Sequence, residues 1–162
     1  MELHLDQRIA APRAQVLEAL VDPDFYASVG SVNNVAAPEV LQISVQGSTA
    51  QLEVRYGFSG ELSGPAKAAL DAAKLTWVIH TTLDLEAATA SLEVVPDHYQ
   101  DLLSCSGGYD LLLEGEATLE QVDATLEVHF PFVARAAEQA IARGFEAHLA
   151  AEAAALERFC RR

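Results

Sequence analysis

The stretch AAEQAIARGFEAHLAAEAAALERF, Ala136 to Phe159, reads as one long helix. Almost everything between residue 38 and Phe130 is patterned as strand, so this helix has to place its apolar stripe on a sheet. Helix geometry advances about 100° per residue; with Ile141 at zero, Phe159 returns to about 0°, Phe145 falls at about 40° and Leu156 at about 60°. Glu152 lies at about 20° and His148 at about −20°, inside the stripe rather than opposite it. The two are four residues apart and can touch. A carboxylate turned toward a core needs a partner, a proton or water.

The preceding segments supply the sheet. In ELHLDQRIA, Leu3, Leu5, Gln7 and Ile9 share one face of a half-buried strand. APRAQVLEALVD follows as a short helix, with Pro12 at its first position and Val16, Leu17, Leu20 and Val21 as its stripe. Asp22-Pro23 ends it, and Phe25 and Tyr26 anchor a second short helix. EVLQISVQG and TAQLEVRYGFS form a hairpin across Gly47-Ser48. Leu41, Ile43 and Val45 are expected to face inward opposite Leu52, Val54, Tyr56 and Phe58. Pro65 to Lys74 is expected as a short helix, LTWVIHTTLDLE and ATASLEVVPD as strands, and HYQDLLSCSGG as irregular chain with SGG as a turn. The last strands come from YDLLLEGEATLEQVDATLEVHF, and Pro131 stops the sheet. No repeat or linker divides the chain, so residues 1–162 are expected to form one α+β domain. Its order is a strand, two short helices, about six antiparallel strands and a long helix.

IAAPRAQVLEALVDPDFYASV, with Ala11-Pro12, Val16, Leu20, Asp22-Pro23 and Phe25-Tyr26, resembles the opening of the START-like (SRPBCC, Bet v 1-like) superfamily. Leu17 stands where many members carry Trp or Phe. HFPFVARAAEQAIARGFEAHLAAEAAALERF, with Glu138 and Glu152, is similar to a bacterial branch of uncharacterised function. The resemblance implies a helix-grip fold: a curved antiparallel sheet wrapped around the C-terminal helix, with a cavity between them. Members of the superfamily hold sterols, lipids, polyketides or hormones there, or act as aromatase/cyclases, hydroxylase subunits or co-chaperones. The fold licenses a cavity more firmly than any reaction.

Three arrangements satisfy Glu152. The groove is incompletely packed and the His148–Glu152 pair faces a solvated cavity; the pair is structural and completed by Arg55 or Tyr109; or the helix is rotated and Glu152 sits at its edge. In the first, Tyr56, Phe58, Trp77, Ile141, Phe145, Leu149 and Leu156 line the space, and His148 and Glu152 fix one polar end of a small hydrophobic ligand such as a lipid, sterol, polyketide or aromatic metabolite. The alternatives are a cyclase- or dehydratase-like enzyme with Glu152 as base and His148 as orienter or acid, and a protein-interaction module with a closed core. Glu138 belongs to the helix's opening turns, where the dipole favours a carboxylate. Gly144 costs about 1 kcal/mol relative to Ala in a helix interior; simple packing is the first account of it, and close approach of sheet or ligand the other. If Trp77 and Ile79 face the core, His80 and Thr82 face solvent; His4 and His129 are likewise out of phase with their apolar neighbours.

The sequence carries no spacing for a metal, phosphate loop or nucleotide fold, and no cofactor is expected. Twenty-four acidic residues against ten basic ones give a net charge of −14, which disfavours nucleic acid and anionic membranes as partners. No segment reads as a signal peptide or membrane span, so a cytoplasmic protein with Cys105 and Cys160 reduced is expected. A monomer or a weak homodimer through the edge strand Glu2–Ala10 fits the pattern.

Overall fold

The computed structural model describes residues 1–62 and 64–162. Strand β1 (Glu2–Ile9) leads into helices α1 (Arg13–Leu20) and α2 (Pro23–Val29). Strands β2 (Glu39–Gln46) and β3 (Thr49–Gly57), helix α3 (Gly64–Ala69), and strands β4 (Thr76–Asp84), β5 (Thr89–Pro96), β6 (Leu103–Glu114) and β7 (Ala117–Val128) follow, and α4 (Ala134–Cys160) closes the chain. The strands form one antiparallel sheet in the order β1-β7-β6-β5-β4-β3-β2. Each strand from β2 to β7 lies beside its sequence neighbour, as short connections favour. This is the α+β helix-grip architecture, with a curved sheet and two short helices after the first strand.

Sequence chemistry explains the joints. Asp22 caps α2 by accepting from the Asp24 N–H at 2.9 Å, with Pro23 in the first turn. Pro12 occupies the cap of α1 in an extended conformation, one position before the helical site expected for it. Gly47, at a positive φ of 62°, makes the two-residue β2–β3 turn. Residues 65–74 do not make a single helix; α3 ends at Ala69 and a 3₁₀ turn, Ala72–Lys74, follows, capped by Asp71.

Alternation sets the concave face. Leu52, Val54 and Tyr56 pair with Thr81, Ile79 and Trp77, all on the inner side. His80 points outward, its Nδ1 3.4 Å from Glu53 Oε1, and Thr82 is exposed. On β2 the inward pattern holds only in part: Leu41 and Val45 are exposed. A bulge between Val40 and Gln42 adds Leu41 as an extra residue, so Val40 packs inward in its place, while Ile43 packs inward as expected. Val45 pairs with the buried Ala50 but lies on an edge strand with nothing above it.

Gly107 and Gly108 belong to the middle of β6, not to a turn. A Cβ on Gly107 would sit 2.1 Å from the Asp123 carbonyl oxygen, and one on Gly108 2.3 Å from that of Ala90. Only glycine permits so tight a pinch between β5 and β7.

The core is in two parts. The larger gathers Ile9, Val16, Leu20, Phe25, Leu83, Leu111 and Leu156 where α1, α2 and the end of α4 meet the sheet. The smaller gathers Leu3, Cys105, Ala124 and Leu126, with Ala142 and Phe145 of α4 packed on it. The buried residues of α4 are Leu149, Ala153, Ala155 and Leu156. Ile141 is 41% exposed. The helix is therefore turned from the orientation its large apolar residues imply, toward the side marked by Ala142 and Ala153. Among the described residues, no helix is long and apolar enough to cross a membrane.

Candidate functional site

Between sheet and α4 the packing leaves a chamber of about 70 Å³. Its sheet wall is Leu52, Val54 and Tyr56 of β3, Ile79 and Thr81 of β4, Leu92 of β5, Tyr109 of β6, and Glu120 and Val122 of β7; Leu20 and Tyr26 close one end, and Phe145, His148, Leu149 and Glu152 of α4 form the roof. At roughly 10–15 Å³ for each water, the space holds about five waters. Pockets for drug-sized ligands are roughly 300–1,000 Å³, so this chamber, partly open to solvent, fits only a small molecule as it stands.

Of the residues expected from sequence, the chamber brings together Tyr56, Phe145, His148, Leu149 and Glu152. Four others lie elsewhere. Phe58 follows β3 and bridges to Val35, away from the chamber. Trp77 stands behind the lining, stacked on Tyr56 with ring centroids 6.3 Å apart. Ile141 faces solvent and Leu156 is buried in the larger core cluster.

The polar roof has a definite geometry. His148 Nε2 lies 3.5 Å from Glu152 Oε2, with the two side chains 14% and 22% exposed. The imidazole stands edge-on to Tyr56, centroids 5.3 Å apart. His148 Nδ1 is fully buried without a hydrogen-bond partner. Glu152 is thus near the margin of the buried helix face yet opens onto the chamber. Arg55 does not complete the pair: its guanidinium binds Asp97, Nε to Oδ2 at 3.0 Å, and lies 3.8 Å from Glu39. That contact holds the Asp97 carboxyl below its ordinary pKa, helped by the Thr76 hydroxyl. Tyr109, the other partner expected, does line the chamber. Gly144 has nothing within 4 Å of a built Cβ, so no close approach explains it. Glu138 accepts from the Val128 N–H at 3.1 Å, tying the start of α4 to the end of β7.

Glu120 is a chamber residue that the sequence reading misses. It is only 7% exposed, on the inner face of β7. Burial, then the charge of Glu152, pushes its carboxyl up to about 8. The signal is present in the alternation: Glu120 shares its phase with Val122, Ala124 and Leu126, all buried. Thr118, in the same phase, is satisfied by donating to the Ala11 carbonyl at 2.8 Å. The three chamber phenols are also displaced. Burial raises Tyr26, Tyr56 and Tyr109, and Glu152 adds to each. They stay protonated and serve as donors; the Tyr26 hydroxyl donates to the Leu20 carbonyl at 2.8 Å. The chamber thus combines an aliphatic wall with a pole of two carboxyls, an imidazole and three phenols, able to hold a small ligand or move a proton on it.

A family described as "protein of unknown function (DUF2505)" matches residues 4–160. No curated protein matches the chain. Among solved structures the chain is similar to the protein TTHA0849 of Thermus thermophilus, with 17% identity over 99% of this chain and 97% of that one and a TM-score of 0.67. It is also similar to the Zhui aromatase/cyclase of Streptomyces sp. R1128, with 17% identity, 98% and 94% coverage and a TM-score of 0.63. A norcoclaurine synthase point mutant of Thalictrum flavum, in complex with a transition-state analogue, gives 15% identity, 99% and 93% coverage and 0.62. At these identities the likeness establishes the Bet v 1-like fold.

Proposed function

The chain belongs to the DUF2505 family, and we propose that it binds a small, largely apolar molecule between the sheet and α4, with one polar group of the ligand at the Glu120–His148–Glu152 pole. The observation that carries this is the unfilled chamber itself, apolar on most of its wall and polar at one place, the usual composition of a ligand site. An acyl chain or sterol is too large for about 70 Å³ and requires the roof to lift; a single ring fits more readily. Solved relatives in fold include proteins described as an aromatase/cyclase and a norcoclaurine synthase, and both descriptions are compatible with ring-sized ligands.

Trp77, the single tryptophan, is stacked on Tyr56 of the chamber wall and reports on occupancy. Titration with single-ring aromatics, fatty acids and sterols is expected to shift its emission for at least one class. Phe145→Trp, which fills the chamber but adds a second indole, is expected to abolish ligand binding as read by native mass spectrometry. Binding proposals fail if no class perturbs Trp77 or appears in native mass spectra, and if Phe145→Trp merely stabilises the fold.

A second use of the site is favoured by one observation. Burial, with the charge of Glu152 adding to it, pushes the Glu120 carboxyl up to about 8, and a carboxyl of raised pKa is what a general acid working near neutral pH needs. In a cyclase- or dehydratase-like step, Glu120 donates a proton, Glu152 accepts one and His148 orients Glu152. Cyclised or dehydrated product from short β-keto thioesters, lost in Glu152→Gln, is the expected outcome; identical product yields for the variant would remove this role.

A further inference from the structure

The chamber lining contains two carboxyls and, among the described residues, neither lysine nor arginine. Arg13 of α1 is engaged with the Leu111 carbonyl at 3.3 Å, and Arg55 with Asp97. His148 is the one basic side chain of the lining, and a proton on its buried Nδ1 would find no acceptor. Glu120 is more than nine-tenths buried and lines the chamber, and among the described residues the influences on its carboxyl are burial and the charge of Glu152, with no hydrogen bond to hold it ionised. An acid so placed lacks the counter-charge that normally accompanies burial.

We propose that the ligand is a small cation, a protonated amine on a compact apolar body, with its ammonium seated between Glu120 and Glu152. This rests on the small-ligand reading above and names its chemical class. The ammonium supplies the missing positive charge, and its N–H groups satisfy carboxylate lone pairs that the protein leaves open. Tyr26, Tyr56 and Tyr109 surround the same pole, and phenol faces attract cations. The net charge of −14 draws cations toward the protein and repels anions.

Seating the cation requires both carboxyls ionised. The titratable groups facing Glu120 are Glu152 and His148 from α4, Tyr26 from α2, Tyr56 from β3 and Tyr109 from β6; Gln7 of β1 stands opposite it in register. Glu120 is protonated in the empty chamber below about pH 8. Amine binding therefore releases a proton and tightens as pH rises, by up to about tenfold per pH unit.

The test uses three probes of one shape, benzylamine, benzyl alcohol and benzoate, followed by two-dimensional NMR titration of the whole chain. Benzylamine is expected to bind at least about tenfold more tightly than the alcohol, a gap of about 1.4 kcal/mol, and benzoate not to bind. Amine affinity is expected to rise about tenfold or more between about pH 6.5 and pH 8.5. Glu120→Gln is expected to weaken the amine about tenfold, flatten its pH profile, and leave the alcohol within about twofold. Equal or tighter binding of alcohol or benzoate overturns the cation assignment while leaving a small-ligand site in place. If none of the three binds, and the wider panel is also silent at Trp77, the ligand site itself is disproved and the assignment falls with it. An amine preference that persists undiminished in a folded Glu120→Gln variant also overturns it.

Discussion

The two halves of α4 share one helix but not one environment. From Leu149 onward it is core: Leu149, Ala153, Ala155 and Leu156 are buried, and Phe159 packs edge-on against Phe25 at 5.7 Å. Before Leu149 no helix residue is fully buried, Ile141 is exposed, and Ala142 and Phe145 reach only the smaller core cluster. Glu138 adds one hydrogen bond to the end of β7. The chamber roof, Phe145 to Glu152, spans the junction of the two. The C-terminal half holds the fold; the N-terminal half, with Phe145 and His148, covers part of the chamber, the rest of whose roof, Leu149 and Glu152, belongs to the anchored half. Function can therefore move the cover without unfolding the anchor, because local opening is cheapest where few apolar contacts must be broken.

The most severe test of that contrast is to truncate each half. Leu156→Ala is expected to cost about 2–5 kcal/mol in denaturant unfolding, and Ile141→Ala less than about 1 kcal/mol. Equal losses would end the distinction. The junction is probed next by pH. Glu120 holds its proton more tightly folded than unfolded, so stability falls as pH rises from its unfolded pKa near 4.5 through about 8. The slope from this group is at most about 1.4 kcal/mol per pH unit. Glu120→Gln is expected to remove that slope and to be the more stable protein at pH 8; parallel stability profiles for the two would show that Glu120 is not buried. Tyr26→Phe leaves the Leu20 carbonyl without its donor and is expected to cost about 1 kcal/mol. The smallest effect belongs to the cover. Gly144 is an exposed mid-helix glycine with open space around a Cβ. Gly144→Ala is expected to raise stability by about 0.5–1 kcal/mol, and to slow amide exchange in residues 134–148 more than in 149–160.

Much of this architecture is written in periodicity. The period-two faces of β1, β3 and β4 and the extent of α4 as one long helix follow directly from the residues, as does the meeting of His148 with Glu152. Three features do not, each for a physical reason. The bulge at Leu41 inserts one residue and reverses the alternation, which no local pattern announces. Gly107-Gly108 has the composition of a turn, although neighbouring strands, not chain reversal, demand the glycines. The rotation of α4 is marked by Ala142 and Ala153, side chains too small to weigh in a stripe defined by large residues. Glu120 is legible in the phase of β7, but an acid in an acidic chain draws no notice until its neighbours on the strand are assigned inward.

The pinch at Gly107 and Gly108 has a reach well beyond β6. A side chain at Gly107 must push β6 from β7, and one at Gly108 must push it from β5, so three adjoining strands shift together. In a saturation survey these two sites are expected to be as intolerant as any ligand contact, while touching no ligand. The capacity of this molecule to enclose something is set at a place where it has no side chains at all.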